Sequence, residues 1–428
     1  MDKEKLKQIL IDQAEELGTQ SIPNLCHRKE EDLVDLNSHL AQVVIGVRRC
    51  GKSTLCKNVL KKAKVKFGYI NFDDERLGGI KADDLDDILL TLYQINGDLE
   101  YFFFDEIQNV EHWELFINRL LRQGKHLLIT GSNSKLLSQD LATHLTGRHS
   151  KIELLPFSFT EFCEYNQVTL SPLSTKNRGL IARAFDQYLS QGGLPELLYE
   201  KDALGYVNSL YESILTQDIR RRFNVRNIEA LRRLSQHLLN ISPAIINKPD
   251  LCNLLEIKSA ITMDNYLSYL MQAYLILPIK KYSNKSSIRT QSEKIYAIDV
   301  AMMNKRQNAL VGSNLGWRLE TIVYLELRRR MKYASEDIYY YAVQKSECDF
   351  LTVDGNTVTG VYQVSYDISS DKTRQREIAG CVSAAKATKC DNVWLITNSH
   401  NETIEYQNIK IKCISAYEWL IGTNTIVR

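Results

Sequence analysis

Apolar residues fall into two rhythms along the chain. Up to about residue 155, short continuous runs, QVVIG (42–46), FGYINF (67–72), YFFFD (101–105) and HLLITG (126–131), alternate with amphipathic or charged stretches. Unbroken β-branched and aromatic runs of this length read as strands buried on both faces, and strand alternating with helix predicts a parallel sheet covered by helices on both sides. Residues 1–40 read as helical. After LLPFSFTEF (154–162) the strand-like runs stop, and residues 175–240 read as helices punctuated by Gly192, Gly193 and Pro195. The pattern turns to helix, turn, helix and hairpin over 241–310, and to mixed α/β from 311 onward.

These shifts divide the 428 residues into four expected domains, in keeping with a length that exceeds what one hydrophobic core supports. They are an α/β domain over 1–165, a helical lid over 166–240, a small helix-and-hairpin domain over 241–310 and an α/β domain over 311–428. Hydrophobic residues make up 44% and charged residues 25% of the chain, which excludes global disorder and fibrous classes. A net charge of +2 means that any nucleic-acid surface must be a local patch. The amino terminus, MDKEKLKQILIDQAEELG, lacks the apolar core of a secretion signal, and no apolar run approaches the roughly 18 residues of a membrane span. A cytoplasmic location and no membrane partner are therefore expected. Nine cysteines without a CxxC pair, and eight histidines without ligand spacing, predict free thiols and no structural metal.

The chemistry concentrates at GVRRCGKST (46–54). A Gly-x-x-x-x-Gly-Lys-Ser loop between a buried strand and a helix-forming run, STLCKNVLKKAK, wraps phosphates with its own N–H groups, which side chains at the glycine positions would obstruct. Gly46, Val47, Arg48, Arg49, Cys50, Gly51, Lys52, Ser53 and Thr54 are thus expected to bind ATP, with Lys52 on the β- and γ-phosphates and Ser53 on Mg²⁺. YFFFDE (101–106) ends a buried strand in two acids, a costly placement unless a cation or water chemistry uses them. Asp105 is the expected partner of Mg²⁺ and Glu106 the expected base for the attacking water. At the end of HLLITG, Ser132, or failing it Asn133, is placed to sense the γ-phosphate; the alternative is a cap for the next helix. Arg148 is either a surface arginine or an arginine finger, acting on its own or a neighbouring subunit's site.

GVRRCGKST, INFDDERL, FFFDEIQNVEHWE, ITGSNSKLLS, LATHLTGR, LPFSFTEF and YLSQGGLPE, in that order, resemble the bacterial and archaeal AAA+-type P-loop ATPases that carry a C-terminal domain of nuclease-like fold. The resemblance spans nearly the whole chain, implies an AAA+-type sheet in the first domain, and favours the finger or sensor reading of Arg148.

Between residues 241 and 310, PDLCNLL, EIKS and AITMDNYLSYLMQAYL follow the order helix, turn, recognition helix, and ILPIKKYS with EKIYAID forms a hairpin, as in a winged helix. Leu251, Leu254, Leu255, Ile257, Leu267 and Leu270 are its expected core. Lys258, Lys280, Lys281, Lys285 and Arg289 make a candidate surface for duplex DNA. From Gly316 the chain resembles the core of the PD-(D/E)xK nuclease fold. Glu320 and Asp349 match its first two acids, Gln363 stands for the second strand acid, and Ser365 stands where the lysine belongs. Loss of that lysine predicts a catalytically degenerate site. The function expected from these parts is a Mg-ATP-driven switch or remodelling ATPase with DNA, a protein client and further copies of itself as candidate partners. An ATP-dependent nuclease of a restriction or defence system and a nucleotide-binding scaffold are the alternatives.

Overall fold

The structure is a computed structural model that describes residues 2–19, 25–132, 145, 147–171, 174–283, 293–309, 314–331, 335–343 and 346–422. The chain forms two compact units, one of residues 1–154 with 272–274 and one of 155–271 with 275–428.

The first unit is built on five parallel strands in the order β2-β3-β4-β1-β5: β1 Ala41–Ile45, β2 Phe67–Asn71, β3 Tyr101–Asp105, β4 His126–Gly131 and β5 His149–Glu153. The continuous apolar runs sit where such runs belong. Val43, Val44, Ile45, Phe102, Phe103 and Phe104 are wholly buried in the middle of the sheet. Helices α1 Lys3–Thr19, α2 Lys52–Ala63, α3 Leu85–Asn96 and α4 Trp113–Arg122 accompany it. Helix α4 turns one apolar stripe inward, Trp113, Phe116, Ile117 and Leu120, at the three-and-four spacing of an amphipathic helix. The helical expectation for residues 1–40 holds over α1; among the described residues that follow, up to 40, there is a short 3₁₀ turn at Lys29–Leu33.

The second unit opens with helices, among them Phe159–Tyr165, Thr175–Gln191, Ala203–Ser213 and Ile228–Ile241, with a π-helical turn at Ile214–Arg220. Gly193 lies against the backbone of Phe157, where a Cβ would come 2.2 Å from its carbonyl oxygen, and the two residues pair through Phe157 N–H to Gly193 C=O at 2.7 Å. The QGGLP punctuation is therefore a packing requirement. Helices Lys248–Leu254 and Ala260–Gln272 precede a hairpin of β7 Ile276–Lys281 and β8 Glu293–Ala297. Of the six leucines and isoleucines expected in the small core, Leu251, Leu255, Ile257, Leu267 and Leu270 are buried, whereas Leu254 is 62% exposed because it falls on the outer face of its helix.

The hairpin does not stand free. On its outer side β7 runs parallel to β9 Glu336–Val343, with Lys280 opposite Tyr339 and Lys281 opposite Tyr340. Nine strands thereby form one sheet, β13-β14-β12-β11-β10-β9-β7-β8-β6, with β6 Ala244–Ile245, β10 Ser346–Asp354, β11 Thr357–Ser365, β12 Val393–Thr397, β13 Glu402–Tyr406 and β14 Ile409–Ser415. Sequence periodicity marks β7, β8, β10, β11 and β12 but not β6, β9, β13 and β14, and it carries no information on which strand lies next to which. The helices Leu315–Arg330 and Asp371–Thr388 pack on this sheet, the second over a core that includes Cys348, Leu351, Val361, Cys381 and Leu395.

Candidate functional site

At the carboxyl end of β1 the chain turns through Gly46–Gly51 into α2. Two glycines are required for different reasons. A Cβ on Gly46 would lie 2.1 Å from the Leu154 carbonyl oxygen, so no side chain fits, and Gly51, which caps α2, has φ +98°, a left-handed conformation that side chains disfavour. Helix α2 therefore begins at Lys52 with its amino-terminal end at the loop, the arrangement that holds anions elsewhere. Lys52 is buried. Its ammonium donates to the Gly46 and Val47 carbonyls (3.3 and 3.2 Å) and pairs with Glu106 Oε1 at 3.4 Å.

The acids at the end of β3 meet this loop. Ser53 Oγ donates to Asp105 Oδ1 at 2.9 Å, and the Thr130 hydroxyl, from neighbouring β4, donates to the same oxygen. Thr130 also accepts the Glu106 N–H at 3.0 Å. Glu106 has φ +52°, unusual outside glycine, and its Oε2 accepts from the Ser132 N–H (3.1 Å) and from Gln108. Burial, then the Glu106 charge, raises the Asp105 carboxyl to about 6. Burial pushes Glu106 up as well, but Lys52 foremost, then Gln108, Arg48 and the Ser132 N–H, hold it below the usual carboxylate range. Glu106 is thus anionic at neutral pH, while burial and the neighbouring Glu106 charge push Asp105 toward protonation.

The residues singled out by sequence fall in two groups. Lys52, Ser53, Asp105, Glu106 and Ser132 converge at one sheet edge, and Ser132 takes part through its backbone N–H. Val47 and Cys50 are buried beneath the loop, and burial raises the Cys50 thiol. Arg48 pairs with Asp73 at 2.9 Å, Arg49 has φ +64°, and Thr54 is partly buried in the first turn of α2. Asn133 lies outside the described residues, as do Lys285 and Arg289. Arg148 is exposed, and its carbonyl accepts the N–H of Ala41, the first residue of β1. That is the opposite edge from the loop, about 13 Å of strand away, roughly twice the length of an arginine side chain. Arg148 therefore lies at the end of the sheet away from the phosphate loop.

Sequence reading passed over Thr130, which the ITG at the end of β4 could have marked, and Arg28, a buried arginine that donates to the Cys50 carbonyl at 3.1 Å. In the second unit, Glu320 and Asp349 do come together, but around Lys294 of β8. Gln363 and Ser365 lie on β11; the Gln363 amide donates to Glu377 of the Asp371–Thr388 helix, and the Ser365 hydroxyl donates to the Asp367 carbonyl. Neither Lys294 nor Glu377 carries a local sequence signal for this site. Arg374 of the same helix is paired with Glu402. Among the described residues no helix is long and apolar enough to cross a membrane.

Residues 38–163 match the AAA domain family, and residues 182–312 match a domain of unknown function. An uncharacterized protein of Methanocaldococcus jannaschii is 33% identical over 393 residues, 88% of this chain and 87% of its own length. One from Haemophilus influenzae is 28% identical over 398 residues, 89% of this chain and 94% of its own. Among solved structures, the Walker-type ATPase of Pyrococcus abyssi aligns with 69% of this chain and 93% of its own, at 15% identity and a TM-score of 0.41. With its phosphate-loop geometry, its AAA domain and a relative matched over nearly its full length, the chain belongs to the AAA+-type P-loop ATPases.

Proposed function

We propose that this protein is a Mg²⁺-dependent ATP-hydrolysing switch or remodelling ATPase that acts on DNA or on a DNA-bound partner. The observation that carries the proposal is the chain of contacts from Lys52 through Glu106, Thr130 and Asp105 to Ser53. Gly46, where no Cβ fits, and the left-handed Gly51 let the loop backbone close around phosphate, and Lys52 adds the cation aimed at the β- and γ-phosphates. Ser53 and Asp105, hydroxyl and carboxylate 2.9 Å apart, form a hard-oxygen pair suited to Mg²⁺, which would neutralise phosphate charge. Glu106, ionised and fixed by the Ser132 N–H, is the group that orients and deprotonates water, and Ser132 itself borders the γ-phosphate.

We assign residues 1–165 to the ATPase, 166–240 to a helical lid, 241–310 to a winged helix facing duplex DNA through Lys258, Lys280 and Lys281, and 311–428 to a nuclease-like domain that does not cut. Because Arg148 stands at the far edge of its own sheet, we assign its finger role to the site of a neighbouring copy, which makes hydrolysis depend on assembly. The test pairs nucleotide binding with phosphate release. Lys52→Ala should lose ATP binding and Glu106→Gln should keep it while losing turnover; hydrolysis that survives both substitutions would sink the proposal.

A further inference from the structure

Gln363 and Ser365 are occupied with local work. The Gln363 carbonyl accepts the Asp349 N–H at 3.2 Å, its amide donates to Glu377 at 2.7 Å, and the Ser365 hydroxyl donates to the Asp367 carbonyl at 3.2 Å. A lysine nevertheless reaches the acids, from a different strand. Lys294, the second residue of β8, puts its ammonium 2.7 Å from Glu320 Oε1, 3.3 Å from Asp349 Oδ1 and 3.4 Å from Glu347 Oε1. Lys294 is only 5% exposed. Tyr296, two residues on and so on the same face of β8, donates to Glu320 Oε1 at 2.8 Å and stacks on Tyr324, with ring centroids 4.3 Å apart. The second Asp349 oxygen accepts the Val364 N–H at 2.9 Å.

We propose that the Lys294 ammonium is the built-in cation of this site, standing between Glu320 and Asp349 where a divalent metal ion would otherwise sit, so that the domain holds its carboxylates without metal. A Mg²⁺ or Mn²⁺ ion binds one or two carboxylates at about 2.1 Å and completes a fixed octahedral geometry with water. The ammonium already contacts one oxygen each of Glu320, Asp349 and Glu347, and the second Asp349 oxygen accepts the Val364 N–H. Ion and ammonium exclude each other from the same space, and expelling the ammonium would leave a buried positive charge without its partners. Three carboxylates from two elements, β10 and the Leu315–Arg330 helix, hold this lysine of β8. The arrangement therefore also ties the hairpin strand to the acid-bearing core. This inference rests on the nuclease-like reading of residues 311–428 and is independent of ATP hydrolysis.

The experiment measures Mn²⁺ binding by equilibrium dialysis and by the shift in melting temperature, on the full chain without nucleotide, with DNA cleavage read from the same samples. The wild type and Asp349→Asn should bind the same amount of Mn²⁺, because neither has a metal site here. Lys294→Met should gain one Mn²⁺ per chain and a Mn²⁺-dependent rise in melting temperature of a few degrees, both lost in Lys294→Met with Asp349→Asn. A folded Lys294→Met protein that gains no Mn²⁺ overturns the inference. If that variant does not fold, the wild type still decides: a Mn²⁺ equivalent that Asp349→Asn removes overturns it, and equal binding supports it. Asp349-dependent metal binding by the wild type without DNA cleavage would overturn the built-in cation alone, whereas Asp349-dependent cleavage would overturn the non-cutting reading as well.

Discussion

Replacing Glu106 with glutamine separates the two tasks of the phosphate site. Lys52 and Glu106 lie 3.4 Å apart, with their side chains 4% and 12% exposed. At an effective dielectric of about 20 that separation is a gross attraction of about 5 kcal/mol, most of it offset by the desolvation both ions have undergone. A net of about 1–2 kcal/mol holds Lys52 on the carboxylate and away from phosphate, a factor of about 5–30 in affinity. Glutamine keeps the volume and can still accept the Ser132 N–H, but it neither holds the ammonium nor repels the γ-phosphate. ATP affinity is therefore expected to rise by that factor, while turnover falls by about 10²- to 10⁴-fold because an amide does not take a proton from water. Equilibrium titration with a fluorescent ATP analogue in Mg²⁺, beside a phosphate-release assay, reads both quantities. Weakened ATP binding in Glu106→Gln would refute the competition between carboxylate and phosphate, and unchanged turnover would remove Glu106 from the chemistry.

Gly46→Ala should abolish nucleotide binding, since its Cβ would meet the Leu154 carbonyl oxygen at 2.1 Å; retained affinity would show that the loop tolerates a displaced β5 end. Arg148→Ala should lower hydrolysis by at most about 10³-fold with ATP affinity intact, and activity should return on mixing with a Lys52 variant; no recovery refutes action between copies. The Asp299 carboxyl accepts the Gly193 and Ala301 N–H groups at 2.8 Å each, and burial, opposed by those bonds, raises it to about 6 from 3.8. A carboxyl raised on folding contributes stability below its unfolded value that is lost as pH climbs through its folded one. Asp299 should thus withdraw up to about 3 kcal/mol between roughly pH 4 and 6, and denaturant titrations across that range should show a flatter dependence in Asp299→Asn. Glutamate at Lys280, Lys281 and Lys285 together should weaken duplex DNA binding and reduce its logarithmic salt slope by about 3, measured by gel shift at several salt concentrations; an unchanged slope places the DNA surface elsewhere.

Sequence by itself determined whatever is written in consecutive residues. GVRRCGKST carries its own backbone demands and its own cation, and YFFFDE announces that a wholly buried strand ends in charge, so loop, helix start and acids were legible before any coordinates. Four strand runs of the first unit, and in the second the helices, the hairpin and the strands β10, β11 and β12, were legible for the same reason, because periodicity is a local property. Only the tertiary structure decided which elements are neighbours. Thr130 contacts Asp105 because β4 lies beside β3, and Arg148 is set far from its own phosphate loop because β5 runs parallel to β1 and enters from the opposite edge. Lys294 reaches Asp349, 55 positions away, because β7 pairs with β9 and draws the hairpin into the larger sheet. Strand order depends on which apolar faces bury each other best across the whole fold, and no window of sequence contains that sum. For that reason the absence of lysine at position 365 was plain from the sequence, while the lysine that meets the acids became visible only once the chain was folded.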